Sequence, residues 1–392
     1  MRIGIVLAVT PGYSETFFTS KIKGLQAQGH EVVLFVGKKE KEFDLCPVKK
    51  APRVYRAAVL QLPMMFLQFM TLIPYLGRVS KFVKFEKKEN TLTATILKKL
   101  YLNSHILKQR LDWLHFGFAT QALEKELAAK AVGAKMGVSF RGFDLNVYPL
   151  KNPDCYQKLW NHVDKVHSIS NYLLEKAYGM GLSHETPSVI ITPAVVMQEL
   201  PKVNEFNVQQ TLKIVTIARL TWIKGVDIAI EAMKILHDKG IDFEYHIIGD
   251  GTSKESERYQ FMVYEYGLQD CVFFCGKLTH HAALEKLLRA DIYVQSSLNE
   301  GFCNAVLEAQ AMGKLVIASD AGALPENVLD GRTGWLFPEG EAVALAEQIE
   351  NVYKLSEEDK EKVTVAAKER VNSDFTIEQQ QKQFVEFYAH LP

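Results

Sequence analysis

The stretch Ile292-Tyr-Val-Gln-Ser-Ser-Leu-Asn-Glu-Gly-Phe-Cys-Asn-Ala-Val-Leu-Glu-Ala-Gln-Ala-Met-Gly-Lys-Leu-Val-Ile-Ala-Ser319 reads as strand, turn, helix and strand. Residues 292–295 and 315–319 are short apolar runs, as in strands buried on both faces, and residues 305–312 fit a helix between them. This is a β-α-β unit, and the same alternation extends to both sides. Upstream lie apolar strands at 212–218, 243–248 and 272–274, separated by helical patterns at 226–238, 255–266 and 282–289. The N-terminal half repeats the scheme. Residues 3–9 form a continuous apolar run ended by Pro11-Gly12, Ser14 is placed to cap a helix reaching Gly29, and residues 32–36 give the next strand. Strands at 113–118, 136–140 and 166–170 and a helix over 120–132 continue the series. The expected fold is α/β, two doubly wound Rossmann-like domains facing a central cleft.

Residues 193–210 lose periodicity and contain Pro193 and Pro201, so they mark a linker between domains at 1–192 and 211–372. Residues 373–392 hold a last helix with Phe384, Phe387 and Tyr388 on one face, suited to pack on either domain, the first included if the chain crosses back.

Composition sets the class. The chain has 392 residues, 47% hydrophobic and 23% charged, which suits an ordinary globular fold and excludes a disordered or collagen-like one. Five scattered cysteines fit a reducing compartment, and Cys271 and Cys275 bracket an apolar strand rather than a metal site. The N-terminus reads as a strand without a signal-peptide cleavage region, so the expected location is cytoplasmic.

The formal net charge of zero conceals an asymmetry. Residues 1–200 carry 27 Lys+Arg against 16 Asp+Glu, and residues 201–392 carry 19 against 30. The whole surplus lies in residues 47–110, where 13 basic side chains face only Glu86 and Glu89. Within this window, the 21 residues from Ala57 to Gly77 carry no charge. Pro63 and Pro74 are expected to break or kink a helix there. Contiguous apolar residues flanked by lysines suit peripheral contact with the inner face of an anionic membrane better than nucleic-acid binding.

Several chemistries lose ground at once. The loop after the first strand, Thr10-Pro11-Gly12-Tyr13-Ser14, lacks G-x-G-x-x-G, and no G-x-x-x-x-G-K-[ST], H-E-x-x-H or G-x-S-x-G is present. In the 292–319 unit, by contrast, the turn opening the helix offers unpaired backbone N–H groups and the positive end of the dipole, which suits a diphosphate. Glu300 lies in that loop and Glu308 about one turn into the helix, where carboxylates can accept hydrogen bonds from sugar hydroxyls. Arg219 and Lys224, after the strand at 212–218, are candidates to neutralise the same anion.

Arg219 with Lys224-Gly225, together with Glu300, seven residues and Glu308, resembles the signature of the family 4 retaining glycosyltransferases of GT-B fold. Ile248-Gly249-Asp250-Gly251 and the run from Gly276 to Gly301 match the same domain. Ser14-Glu15-Thr16-Phe17, His115-Phe116-Gly117 and Ser139-Phe140-Arg141-Gly142-Phe143-Asp144 look like the branch that builds bacterial exopolysaccharide, capsule or lipopolysaccharide.

The resemblance implies a nucleoside-diphosphate sugar donor, no cofactor and no metal, and a glycan or lipid-linked acceptor. It implies that Arg219 and Lys224 hold the diphosphate, Glu300 the transferred sugar and Glu308 the ribose. Gly249, Gly251, Leu278 and Asn304 belong to the implied donor site, and Phe302 and Cys303 would offer backbone amides. His115 would lie beside the donor sugar, and Ser14, Glu15, Arg141 and Asp144 on the acceptor side. Arg141 stands where many relatives carry His, and Pro11-Gly12-Tyr13-Ser14 replaces their glycine-rich loop. A non-catalytic glycan- or lipid-binding protein and a sugar-nucleotide epimerase of the same fold are the competing classes.

Overall fold

The computed structural model describes residues 1–12, 16–39, 42–201 and 211–389, so Ser14 and Glu15 lie outside the described residues. The chain divides into two compact units, Met1–Ile191 with Gln380–Pro392, and Thr192–Gln379.

Among the described residues, unit 1 is built on seven strands: β1 (Arg2–Val9), β2 (Glu31–Lys38), β3 (Val48–Lys50), β4 (Trp113–Phe116), β5 (Lys135–Phe140), β6 (Lys165–Ser168) and β7 (Ser188–Ile190). All pair in parallel in the order β3-β2-β1-β4-β5-β6-β7. The apolar run of β1 is buried on both faces: Ile3 and Ile5 pack under α1 (Thr16–Ala27) with Phe18 and Ile22, and Phe384, Phe387 and Tyr388 of the helix Ile377–Ala389 close the same core. That helix therefore owes its docking to the aromatic face visible in its sequence.

Unit 2 repeats the arrangement with β8 (Leu212–Ile217), β9 (Phe243–Ile248), β10 (Val272–Gly276), β11 (Ile292–Gln295), β12 (Leu315–Ser319) and β13 (Trp335–Phe337). The order is β10-β9-β8-β11-β12-β13, again all parallel. In both sheets the chain winds outward in one direction and then in the other, which leaves a switch point beside β1 and β4 in unit 1, and beside β8 and β11 in unit 2. At such points the loops leaving the strands' carboxyl ends diverge and leave room for a ligand.

Two expectations need correction. The helix read over 120–132 is two short helices, Ala119–Ala122 and Ala128–Val132. Between them Glu124 adopts φ 63°, its N–H donates to Glu126 Oε1 (3.0 Å), and its carbonyl accepts from Asn103 Nδ2 (3.0 Å), so tertiary partners hold the break. Pro63 does not break its helix: it lies inside α2 (Ala58–Met70). The proline leaves the Val59 carbonyl without its usual partner, and Val59 is so exposed that water can serve. Pro74 does mark a break, opening the 3-10 turn Ile73–Tyr75 before α3 (Leu76–Lys88). α4 (Thr93–Leu107) follows and is largely buried.

Candidate active site

The loops after β8 and β11 meet at the unit 2 switch point. After β8 the chain makes the 3-10 turn Trp222–Lys224 and then Gly225 at φ 57°. A side chain there would run into the Ser296 carbonyl, so only glycine lets the two loops approach. Leu298 N–H donates to Ile223 O (2.9 Å) and Ser296 Oγ to Gly225 O (2.7 Å), which locks the loops in register.

Lys224 is thereby delivered to Glu300, and its Nζ donates to Glu300 Oε1. Glu300 is nearly buried at 7% exposure, and the same oxygen accepts from Ser297 Oγ (2.9 Å) and Gln295 Nε2 (3.3 Å). Three donors, one of them cationic, fix a carboxylate that would otherwise be costly to desolvate. Gln295 is held in turn by Tyr293 OH (2.5 Å). Sequence reading missed Gln295 and Ser297. The signal was a glutamine closing an otherwise apolar strand.

Arg219 follows β8 and is exposed, and its guanidinium makes no hydrogen bond or ion pair among the described residues. Gly249 and Gly251 serve the backbone: side chains there would collide with the carbonyls of Ala218 and Leu220. They bring the loop after β9 against the loop carrying Arg219.

The helix Asn304–Ala311 starts at Cys303, with Asn304 exposed at its first position. Cys303 cannot offer its amide to a ligand, because Cys303 N–H donates to Asn327 Oδ1 (3.0 Å) and its carbonyl accepts from Asn327 Nδ2 (3.1 Å). Burial pushes the Cys303 thiol up to about 12, so it stays protonated. Phe302 is buried against Phe375. Leu278, after β10, is half-buried against the core beneath this helix.

Glu308, on the helix's second turn, receives His280 Nε2 at 2.7 Å. His280 opens the helix His280–Leu288, and the hydrogen bond to Glu308 raises its pKa above the ordinary value. Nothing local in the sequence linked these two residues, which are 28 positions apart.

Unit 1 treats its expected site residues differently. His115 sits in β4 with no exposed surface: Nδ1 pairs with Tyr388 OH (2.8 Å) and Nε2 with Ser139 Oγ (2.8 Å) and Lys21 Nζ (3.3 Å). Burial, with Lys21 beside it, holds its pKa well below the usual histidine value. The expected contact of this ring with a donor sugar has no open face to form on. Asp144 is also fully buried, accepting from Thr120 Oγ1 (2.9 Å) and Arg141 N (3.2 Å), and burial raises its pKa to about 6. Its carboxylate holds the turn that presents Arg141, whose guanidinium lies over the Phe17 ring at 4.2 Å.

The description "Glycosyl transferases group 1" matches residues 197–370, which include Arg219, Lys224, Glu300 and Glu308. The chain is 30% identical over 292 residues to the amylovoran biosynthesis glycosyltransferase AmsK of Erwinia amylovora, covering 71% of this chain and 69% of AmsK. The chain belongs to the group 1 glycosyltransferases.

This glycosyltransferase is also 29% identical over 270 residues to the putative colanic acid biosynthesis glycosyltransferase WcaL of Escherichia coli, covering 67% of the chain and 66% of WcaL. Among solved structures it resembles Anabaena HepE in complex with UDP-glucose, at 15% identity over the whole of both chains with a TM-score of 0.74. A glycosyltransferase from Rickettsia africae superposes with a TM-score of 0.72 at 20% identity, covering 99% of this chain and 97% of that one. These likenesses give the GT-B architecture of two Rossmann-like domains. In this glycosyltransferase the family match falls on unit 2, where the candidate donor residues are gathered.

Proposed function

We propose that the protein is a retaining glycosyltransferase of family 4 that moves a sugar from a nucleoside-diphosphate sugar to a glycan or lipid-linked acceptor in bacterial surface-polysaccharide synthesis. The observation that carries this reading is the Lys224–Glu300 pair at the unit 2 switch point, a cation and a braced carboxylate beside a helix N-terminus. AmsK and WcaL, both named for polysaccharide biosynthesis, support the product class. HepE, solved with UDP-glucose, supports the donor class.

In this reading Arg219 and Lys224 take the donor diphosphate, Arg219 as a planar fork free to close on it and Lys224 as a point charge. Glu300 accepts from the hydroxyls of the transferred sugar, and Lys224 holds its carboxylate in place until the donor arrives. Glu308 accepts from the ribose, and Leu278 offers an apolar edge to the base. As the glycosidic bond breaks, negative charge grows on the leaving diphosphate. Two cations and the amides of a helix start are groups of the right kind to stabilise it. The departing phosphate oxygen can then receive the acceptor's proton on the same face, so no protein carboxylate has to act as base and the anomeric configuration is kept. The chemistry needs no divalent ion, because the protein supplies the positive charge.

The test is turnover with a panel of nucleoside-diphosphate sugars, in excess chelator, with the product anomer read by NMR. Transfer or slow donor hydrolysis in chelator, with an α-linked product from an α-linked donor, is the expected result. An inverted product rejects the retaining assignment, and activity that depends on a divalent ion rejects the metal-free one. Saturable donor binding without any turnover favours a binding protein instead.

A further inference from the structure

Helix α2 is built inside out for a water-facing helix. Its inward positions are Gln61, Met65, Gln68 and Phe69: Gln61 Oε1 accepts from Tyr55 N–H (2.8 Å), and Gln68 Nε2 donates to Ser104 Oγ (2.6 Å). Its outward positions are apolar, with Val59 at 82% exposure, Leu62 at 65%, Phe66 at 61% and Leu67 at 57%. No residue of α2 is buried. Amphipathic surface helices turn polar residues outward, so this apolar outer face needs a cover.

The chain continues through a bend of 56° at the break around Pro74 into α3. No single helix among the described residues is long and apolar enough to cross a membrane; the bent pair passes together by length and composition, and the exposed lysines along its second helix argue for a surface contact. On α3 the outward side changes character. Lys81, Lys84, Lys87 and Lys88 are exposed, and Lys84, Lys87 and Lys88 line an open depression together with Leu76, Val79 and Val83.

The two acids of the 47–110 window, Glu86 and Glu89, both have partners, Glu86 in the interior and Glu89 at the exposed end of α3. Glu86 is fully buried, bonded by Lys99 (3.3 Å), Lys158 (3.0 Å) and Thr91 (2.8 Å), and Glu89 pairs with His162 (3.2 Å). An exposed apolar helix therefore continues into an exposed cationic one with no free acid between them.

We propose that the outward faces of α2 and α3 form a docking surface for an anionic lipid bilayer, with Val59, Leu62, Phe66 and Leu67 entering the headgroup–acyl boundary and the four lysines of α3 meeting lipid phosphates. Charge selects this occupant over a second copy of the chain, since a symmetric contact would set lysine against lysine. It deepens the proposed lipid-linked acceptor, which such docking would bring to unit 1.

Flotation of the full chain tests it, using vesicles of phosphatidylcholine alone or mixed with phosphatidylglycerol. Binding to the mixed vesicles only, weakened by salt, is expected. Each near-surface lysine contributes about fivefold in partitioning at low salt, so reversing Lys81, Lys84, Lys87 and Lys88 to Glu should cost well over about a hundredfold. Leu62→Ser with Phe66→Ser should also abolish flotation while leaving the unfolding transition in place, because neither side chain packs inside the unit. Equal binding to both vesicle types, no binding, or binding unchanged in either variant overturns the proposal. Self-association lost in the Leu62/Phe66 variant, without flotation, assigns the face to a second copy instead. Donor binding measured on the same samples is independent of the surface. A lost surface with donor binding kept therefore condemns this inference alone, and the reverse condemns the donor site alone.

Discussion

Glu300 Oε1 accepts from Lys224 Nζ, from Ser297 Oγ at 2.9 Å and from Gln295 Nε2 at 3.3 Å, so residues from β11 and two loops converge on one carboxylate oxygen. The pair is little exposed, with 16% of the Lys224 side chain and 8% of Glu300's accessible. A site braced in this way changes function and stability separately.

Lys224→Ala leaves a nearly buried carboxylate with two neutral donors, and should cost about 1–3 kcal/mol in urea unfolding. Glu300→Gln keeps the shape and should cost less, and combining the two should recover part of the Lys224→Ala loss. Transfer should not recover. Each single variant is expected to lower kcat/KM by about 10² to 10³, and the double variant at least as much. Near-normal turnover in either folded variant would remove both residues from the proposed donor site.

The sheets and the candidate site were legible because both leave local marks. Apolar runs announced β1, β8 and β12, the first ended by Pro11-Gly12, and the spacing of Glu300 and Glu308 around a helix start announced a candidate site. What stayed hidden depends on partners distant in sequence. β3 is three residues, two of them lysines, and is a strand only because it pairs with β2. Asn327 reaches the Cys303 backbone from 24 positions away, and the burial of His115 depends on Tyr388, 273 positions off. The apolar run over α2 gave no periodicity from which to read a face. Its exposure became visible only when the two glutamines were found on the inner side.

His280 and Glu308 supply a pH test. Glu308 raises the folded pKa of His280, so the pair's stabilisation is fully present below about pH 6.5 and is lost as pH rises through the raised value. The His280 side chain is 32% exposed, so the effect is expected to stay within about 1 kcal/mol. Wild type should therefore be slightly more stable than His280→Ala near pH 6 and equal to it at alkaline pH. Releasing Glu308 should strengthen nucleotide binding over the same rise in wild type and leave His280→Ala flat. Parallel calorimetric titrations check this, and an equal pH response in both proteins would disconnect His280 from the nucleotide.

Gly225→Ala should damage the site without touching a functional side chain. The residue has φ 57°, and its added carbon would meet the Ser296 carbonyl, so the β8 and β11 loops must part. A cost of about 1–3 kcal/mol is expected, with donor KM raised because Lys224 moves with the loop. Chemical unfolding and donor titration read both effects. A variant with wild-type stability would mean that the loops carry no such constraint.

Lys21 is fully buried in unit 1, and its amine faces His115 Nε2 at 3.3 Å and the Phe384 ring at 4.3 Å. Desolvation, aided by the nearby Arg141, drives its pKa well below 10.5, so between the folded and the unfolded value the unfolded chain is the more protonated state. The unfolded state then binds the extra proton, and stability rises with pH up to about 10.5, by about 1.4 kcal/mol per pH unit for one such group. Lys21→Met keeps the length and removes the titration, and His115 retains Ser139 and Tyr388 as partners. The variant should be more stable than wild type at neutral pH, with the gain shrinking steadily as pH approaches 10.5. Denaturant midpoints across that range measure it. A constant difference would show that Lys21 titrates alike in both states, and a loss of stability at every pH would show that its bond to His115 outweighs the cost of burying the amine.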